Sequence, residues 1–241
     1  MTLCHVSAPK ETSTMKRLLT LAFIALSLTA CRHSSEQEKS DIEKRLEQIG
    51  LQNVAEEIPG IEVHMVYATP YNFMGRVLYE GLDKAYLVPE AVEKLKKANE
   101  LLRKERLDLH LAVYDAARPR SIQQQMWSVV ENTELEDFVA NPNKSGGGPH
   151  NYGIAVDVTL VDCTGHPIAM GSEYDYFGDR SRVDLEAELI AEGEITQREL
   201  LNRQLLRKIM TEAGWLVEPS EWWHFNSMPL AEASQKLMVI E

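Results

Sequence analysis

An aspartate in the middle of an apolar strand is the feature that most limits how this chain can fold. The segment "IAVDVTLVD", residues 154–162, has the apolar and β-branched composition of a buried strand, with Asp157 at its centre. Burying an ionised carboxylate costs free energy unless a cation or hydrogen-bond donors compensate for the lost water. A glycine-rich loop, residues 146–149, and His150 precede this strand, and such a loop lets the backbone approach a ligand closely. The sequence therefore predicts a charged partner for Asp157.

The hydrophobic periodicity predicts helices and strands that alternate without a fixed βαβ repeat. This irregular order favours an α+β fold over a doubly wound sheet. We expect Gln124 to complete a capping box at the start of the second long helix, and Glu199 to do so within the fourth helical segment. The predicted helices cover 41–50, 88–107, a segment from Ser121, and 185–213 with a second start at Thr196; the predicted strands cover 61–68, 107–115, 154–162 and two short stretches within 215–227.

The N-terminal region has the layout of an export signal rather than of a folded element. Lys16 and Arg17 are followed by an apolar run over 18–28, which is too short to span a bilayer comfortably. The next residues complete Leu-Thr-Ala-Cys, which resembles a bacterial lipobox in which cleavage precedes lipidation of Cys31. The alternative is a buried apolar helix with a chance cysteine. The pattern predicts an exported, periplasmic lipoprotein that is anchored in the membrane.

This interpretation divides the chain into three parts. Residues 1–31 are the predicted signal segment, with Met15 as the expected start of translation, residues 32–40 are a polar tether, and residues 41–241 are a single domain. Cys163 would then be the one unmodified cysteine of the mature protein. We expect it to be a small buried hydrophobe, without a disulfide or a nucleophilic role.

The net charge of −12 limits the kinds of partner that the chain can bind. Nucleic acids and anionic membrane faces attract basic patches, so neither is an expected partner, and contact with the membrane is expected only through the lipid anchor. We expect a monomer or a weak oligomer.

Two histidines and one aspartate form a candidate metal-binding set. His150, Asp157 and His224 supply two imidazoles and a carboxylate, which suits one zinc ion with a fourth position open. Glu221 lies three residues before His224 and could act as a general base, and Arg118 follows a predicted strand and could stabilise a developing oxyanion. The alternative for His224 is a histidine that packs in the core, and the alternative for Glu221 is a surface carboxylate. Arg118 could instead be a capping or ion-pair arginine.

Five blocks of sequence, taken in order, resemble the D-alanyl-D-alanine dipeptidase family, the zinc peptidases known from vancomycin resistance. The resemblance implies a small α+β fold with a central, mainly antiparallel sheet flanked by helices and a zinc site on the sheet, shared with D,D-carboxypeptidases and the hedgehog domain. It also implies one zinc per chain on His150, Asp157 and His224, with Glu221 as catalytic base, Arg118 stabilising the transition state and Asp175 near the substrate ammonium. The blocks are "NFMGRVLYE", "YDAARPRSIQQQMW", "HNYGIAVDVTLVD", "AMGSEYDYF" and "EWWHF".

The implied activity is hydrolysis of D-Ala-D-Ala or a similar short peptide that contains D-amino acids. The alternatives are a murein carboxypeptidase or endopeptidase of the same fold, and a catalytically silent zinc-binding module. The sequence departs from better-known members at the first histidine, where they have "SHSRG" and this chain has Pro149 before His150 and Asn151-Tyr152 after it. This departure affects substrate contacts and leaves the metal-binding set intact.

Overall fold

A computed structural model gives the structure of the protein and describes residues 39–144 and 147–241. The predicted signal segment, the predicted lipidation site Cys31 and almost all of the predicted tether lie outside these ranges. Residues Ser40–Glu241 form one compact unit. Within the described ranges, no helix combines the length and apolar character needed to cross a membrane.

A five-stranded, mainly antiparallel sheet forms the centre of the α+β fold. The strands in chain order are β1 (Gln52–Asn53), β2 (Glu62–Val63), β3 (Tyr86–Leu87), β4 (Leu109–Asp115), β5 (Ala155–Asp162), β6 (Leu216–Val217) and β7 (His224–Asn226). The central sheet has the order β2-β4-β5-β7-β6, and β1 pairs with β3 in a separate two-stranded ribbon. Only β2 and β4 run parallel among the described strands of the central sheet. The predicted fold class is therefore confirmed.

Seven helices surround the described part of the sheet, and two of them begin as the sequence predicts. Pro89 occupies the first turn of its helix, where its missing N–H costs no hydrogen bond. Thr196 caps the longest C-terminal helix and forms the predicted capping box with Glu199. The helices are α1 (Asp41–Gln48), α2 (Val54–Glu57), α3 (Pro89–Glu105), α4 (Arg120–Val130), α5 (Glu186–Glu192), α6 (Gln197–Glu212) and α7 (Leu230–Lys236).

Three local predictions are wrong. The strand predicted at 61–68 ends at Val63, because the chain then turns through a 3-10 helix at Val66–Ala68 that directs Tyr67 into the core. Ser121 does not cap α4, since the helix has already begun at Arg120. Cys163 is exposed, because it lies in the turn that directly follows β5.

Candidate metal centre

The sheet register brings two of the predicted ligands side by side. Asp157 and His224 are directly opposite each other in the antiparallel pair of β5 and β7. His150 comes from the 3-10 helix Pro149–Tyr152, immediately before β5. Asp157 Oδ1 lies 3.0 Å from His224 Nδ1 and 3.3 Å from His150 Nε2, and the two nitrogens are 3.2 Å apart. Three potential ligand atoms therefore converge on one point, and all three residues are buried.

The spacing of these atoms fits a zinc ion. Tetrahedral zinc with bonds of about 2.0–2.1 Å places neighbouring ligand atoms roughly 3.3 Å apart. The three observed separations lie between 3.0 and 3.3 Å. Two imidazole nitrogens and one carboxylate oxygen are also a common donor set for zinc with an open fourth position. The residues present therefore fit the ion that the sequence predicts.

Outer hydrogen bonds orient each of these side chains. His150 Nδ1–H donates to the carbonyl of Ala116 at 2.6 Å, which leaves Nε2 as the nitrogen that faces the cluster. His224 Nε2–H donates to Oδ1 of Asn226 at 2.9 Å, which leaves Nδ1 as the facing nitrogen. Such partners fix the tautomer and the ring orientation of metal-ligating histidines.

The protein environment favours the charged forms of Asp157 and His224. Burial alone would raise the pKa of Asp157, but the charges and hydrogen bonds of His150 and His224 outweigh it and hold the pKa below its ordinary value. Burial alone would lower the pKa of His224, but the hydrogen bond and charge of Asp157 outweigh it and raise the pKa to about 9. A buried carboxylate between two imidazoles is thus prepared for a positively charged neighbour.

Arg118 lies beside the cluster and is held on two sides. Its Nε and Nη2 donate to Asp115 Oδ2 at 2.9 and 2.5 Å, and Nη1 donates to Gln123 Oε1 at 2.7 Å. Its Nη2 also lies 3.9 Å from Asp157 Oδ2, and its guanidinium carbon is 5.2 Å from the centre of the Tyr67 ring. The guanidinium is therefore a fixed positive charge in the wall of the cleft. Arg118 therefore forms an ion pair and also lines the cleft, as the two sequence-based interpretations of this residue had predicted.

Glu221 lines the same cleft, close to His224. One carboxylate oxygen of Glu221 lies 3.8 Å from His224 Nδ1. Burial and the nearby charge of Asp157 raise the pKa of Glu221 to about 7, although the charges of His224 and Arg118 act in the opposite direction. A carboxyl group with a pKa near neutrality can both accept and return a proton.

Asp175 is the second cleft carboxylate that the sequence singled out. It has a left-handed backbone with φ of 58° and accepts a hydrogen bond from the Tyr67 hydroxyl at 2.8 Å. Burial raises its pKa well above the ordinary value, and the charges of Asp157 and Glu221 raise it further. A cationic group bound here would reverse that penalty, so Asp175 is a candidate receptor for an ammonium group.

The unusual residues around His150 have a structural role of their own. Pro149 is the first residue of the 3-10 helix, where no N–H is needed. The buried Asn151 side chain accepts from the N–H of Gly148 at 2.8 Å and donates to the carbonyl of Arg118 at 2.7 Å. Asn151 therefore ties the loop that carries His150 to the backbone of Arg118.

Three phenylalanines from separate segments line one side of the cleft. Phe177 contacts Phe73 with ring centres 5.0 Å apart and stacks on Phe138 at 5.4 Å. We call these three residues the phenylalanine cluster. The cleft that they share with His150 and Glu221 has a cavity volume of about 400 Å³. An aromatic wall of this kind limits the size of ligand that can enter.

The sequence did not single out the residues that support the site. Tyr174 donates to Asp157 Oδ2 at 2.8 Å, and Tyr79 donates to Asp115 Oδ1 at 2.6 Å. Asp115 itself lies opposite Asp157 in the pairing of β4 and β5. The sequence offered one signal for two of these residues, which is that they lie close to predicted site residues. Tyr174 directly precedes Asp175, and Asp115 ends the strand before Arg118.

Comparison with known proteins agrees with this geometry. A family model described as D-ala-D-ala dipeptidase matches residues 47–239. The D-alanyl-D-alanine dipeptidase of Escherichia coli (strain K12) is 29% identical over 168 residues, covering 70% of this chain and 79% of that protein. The D-alanyl-D-alanine dipeptidase of Enterococcus faecium is 28% identical over 194 residues, covering 74% and 91%. That of a Synechocystis species is 28% identical over 176 residues, covering 61% and 71%. The match spans both the sheet and the cleft, and the chain belongs to the D-Ala-D-Ala dipeptidase family.

Proposed function

We propose that the protein is a zinc-dependent dipeptidase that hydrolyses D-Ala-D-Ala or a closely similar dipeptide. The observation that carries this proposal is the position of Glu221, whose carboxylate lies 3.8 Å from His224 Nδ1 beside three converging ligand atoms. A metal site that only stabilises a fold has no use for a titratable carboxylate with a pKa raised to about 7 at this place. Membership of the family supports the same substrate class.

His150 Nε2, Asp157 Oδ1 and His224 Nδ1 would hold the ion. When bound, zinc supplies Lewis-acid polarisation of a carbonyl and lowers the pKa of a water molecule to about 7. Tyr174, Ala116 and Asn226 keep the three side chains oriented through the hydrogen bonds described above. The metal centre therefore depends on two layers of residues.

Glu221 and Arg118 would carry the proton transfer and the charge stabilisation. Glu221 accepts a proton from the attacking water and returns it to the nitrogen of the leaving amine, which its raised pKa allows. Arg118, fixed by Asp115 and Gln123, presents a positive charge where the carbonyl oxygen becomes negative. Because its donors are already oriented, little reorganisation accompanies the reaction.

Asp175 would receive the free ammonium group of the substrate. Its carboxylate and the hydroxyl of Tyr67 are joined by a hydrogen bond inside the cleft. Ion pairing with an ammonium would favour the ionised carboxylate, whose pKa is raised in the free protein. This arrangement favours substrates with a free N-terminus.

The phenylalanine cluster favours a dipeptidase over a peptidase that acts on longer murein peptides. Contact of Phe177 with both Phe73 and Phe138 narrows the cleft between two of its loops. A murein peptidase needs an open groove at this point. A murein peptidase is therefore the second candidate. The deciding property is whether a longer peptide can enter the cleft past the phenylalanine cluster.

The test compares the zinc-loaded protein with a Glu221→Gln variant on D-Ala-D-Ala, L-Ala-L-Ala and a murein tripeptide that ends in D-Ala-D-Ala. We expect free alanine from D-Ala-D-Ala, and a loss of about 100-fold or more in kcat for the variant at unchanged zinc content. Release only from the tripeptide would support the second candidate. Zinc binding without release from any of the three would leave only a binding module.

We also propose that the mature protein is a periplasmic lipoprotein that acts on dipeptides released during wall turnover or nutrient recovery. The sequence pattern that ends at Cys31 supports this proposal. Radiolabelled palmitate should be incorporated into the full chain and not into a Cys31→Ser variant. An unlabelled protein in the cytosol would contradict it.

A further inference from the structure

Arg203 is a buried arginine that the mechanism above does not use. It lies on α6 and is only 1% exposed, on the same buried stripe as Leu206, Ile209 and Met210. An apolar side chain would complete this stripe without the cost of burying a charge. Burial lowers the pKa of Arg203 to about 10, so the guanidinium is still charged at neutral pH.

The guanidinium bridges the two ends of a loop that carries site residues. Nε donates to the carbonyl of Met170 at 2.5 Å, and Nη2 donates to the carbonyl of Arg180 at 2.5 Å. The third nitrogen, Nη1, has no hydrogen-bond partner among the described residues. Both side-chain hydrogen bonds of Arg203 therefore go to the main chain of one loop, residues 170–180, which we call the 170–180 loop.

This loop carries Tyr174 and Asp175, in addition to Phe177 of the phenylalanine cluster. Tyr174 donates to the ligand Asp157, and Asp175 accepts from Tyr67. Asp175 has a left-handed backbone with φ of 58°, a conformation that aspartate adopts more readily than most residues other than glycine. A loop fixed at both ends holds Asp175 in this conformation.

We propose that Arg203 is a positioning residue for substrate recognition, because it clamps both ends of the 170–180 loop and so fixes Asp175 where a dipeptide ammonium binds. This inference rests on the proposed dipeptidase function. The single nitrogen of a lysine ammonium cannot occupy both the Nε and the Nη2 positions from which the guanidinium fork donates. Arg203→Lys should therefore release one end of the loop while it keeps a positive charge in the same place.

The first test measures steady-state kinetics on D-Ala-D-Ala with zinc-loaded full chain. At saturating zinc, we expect Arg203→Lys to raise KM about tenfold and to leave kcat within about threefold of the wild type, since the ammonium contact is weakened while Glu221 and Arg118, which lie outside the loop, keep their positions. Arg207→Lys is the matched control, because Arg207 lies one turn further along α6 and pairs with Glu186 at 2.7 and 2.9 Å. Its KM should stay at the wild-type value.

A double-mutant cycle separates positioning from general destabilisation. Once Asp175→Asn has removed the carboxylate, loosening the loop has no ammonium contact left to weaken. Arg203→Lys should then add less than about twofold to KM in the Asp175→Asn background. An equal tenfold increase in both backgrounds would show that Arg203 does not act through Asp175, and would overturn the proposal.

Hydrogen exchange gives a readout that does not depend on activity. In the metal-free protein, amides of the 170–180 loop should exchange faster in Arg203→Lys than in wild type and Arg207→Lys, while those of β5 remain protected. If wild type fails to cleave dipeptides but the loop still loosens, the proposed function fails and the clamp stands. Unchanged exchange in the loop would refute the clamp.

Gly171→Ala tests the same clamp from the loop, should Arg203→Lys fail to fold. Gly171 has φ of +85°, and an added Cβ would lie 2.6 Å from the side chain of Ile195 and 3.3 Å from Arg203 Nη2. The loop must shift at the point where Arg203 holds it. Both KM and the rate of amide hydrogen exchange in the 170–180 loop should therefore increase. A KM within about twofold of wild type would contradict the proposal.

Discussion

Tyr174 and Asp157 are joined by a 2.8 Å hydrogen bond in which the tyrosine hydroxyl donates to Oδ2. Oδ1 of the same carboxylate faces His150 and His224. The two oxygens of Asp157 therefore have separate tasks, one toward the metal position and one toward the loop behind it. This division keeps the carboxylate in one orientation and would leave Oδ1 available to the proposed ion.

Tyr174→Phe should weaken zinc binding by about 10- to 100-fold, because Asp157 loses the partner that orients it. Competition with a chromophoric chelator measures the change. Tyr114→Phe is the control, since the Tyr114 ring contacts Tyr174 with centres 5.3 Å apart and its hydroxyl makes no hydrogen bond to Asp157. Equal zinc affinity in wild type and Tyr174→Phe would mean that the hydrogen bond contributes nothing to the site.

Arg118→Lys should lower kcat on the order of 100-fold while zinc content stays at the wild-type value. The lysine ammonium cannot keep the contacts to Asp115 and Gln123 and at the same time face a developing oxyanion. Arg118→Ala should in addition lower the free energy of unfolding by about 3 kcal/mol, because Asp115 is fully buried and loses its ion pair. Urea titration measures the second effect. A kcat for Arg118→Lys equal to that of wild type would exclude a role in charge stabilisation.

Asp175→Asn should stabilise the metal-free protein increasingly as pH rises. Burial raises the pKa of Asp175 in the folded state, so the unfolded chain ionises first and wild-type stability falls once pH exceeds about 3.9. This loss continues until pH passes the raised folded pKa. Asparagine does not ionise and tolerates the left-handed backbone at this position.

Thermal melts of both proteins across pH measure this difference. The Tm of Asp175→Asn relative to wild type should be lowest at acidic pH and increase toward neutral pH, while KM for the dipeptide becomes much higher. A Tm difference that is constant with pH would show that Asp175 ionises equally easily in both states.

The features of the site that could be predicted are those that depend on residues close to one another in the sequence. Asp157 inside an apolar strand predicted a charged partner, and a strand that contains His224 close to Glu221 predicted a metal ligand and a general base. The capping box of Thr196 and Glu199 was also visible, because all of its partners lie within three residues. Each of these follows from the chemistry of near neighbours.

The supporting residues could not be predicted because they act across long stretches of chain. Tyr67 and Asp175 are 108 positions apart and meet only in the folded domain. Asp115 is brought beside Asp157 by the register of β4 and β5, which is irregular between Val113 and Asp115. Strand register and loop path are decided by packing of the whole domain, and periodicity within one segment carries little information about either.

Phe177→Ala should shift the substrate preference toward longer peptides. Phe177 is the shared member of the phenylalanine cluster, so its removal separates Phe73 from Phe138 and opens the cleft between their loops. We expect kcat/KM for a tripeptide that ends in D-Ala-D-Ala to rise roughly tenfold and that for D-Ala-D-Ala to fall.

Tyr71→Ala is the control, because Tyr71 is 87% exposed and does not line this cleft. An unchanged ratio of the two specificity constants in Phe177→Ala would show that the aromatic wall does not select by length. Efficient cleavage of the tripeptide by the wild type would show that the cleft already admits longer chains, and would identify a murein peptidase.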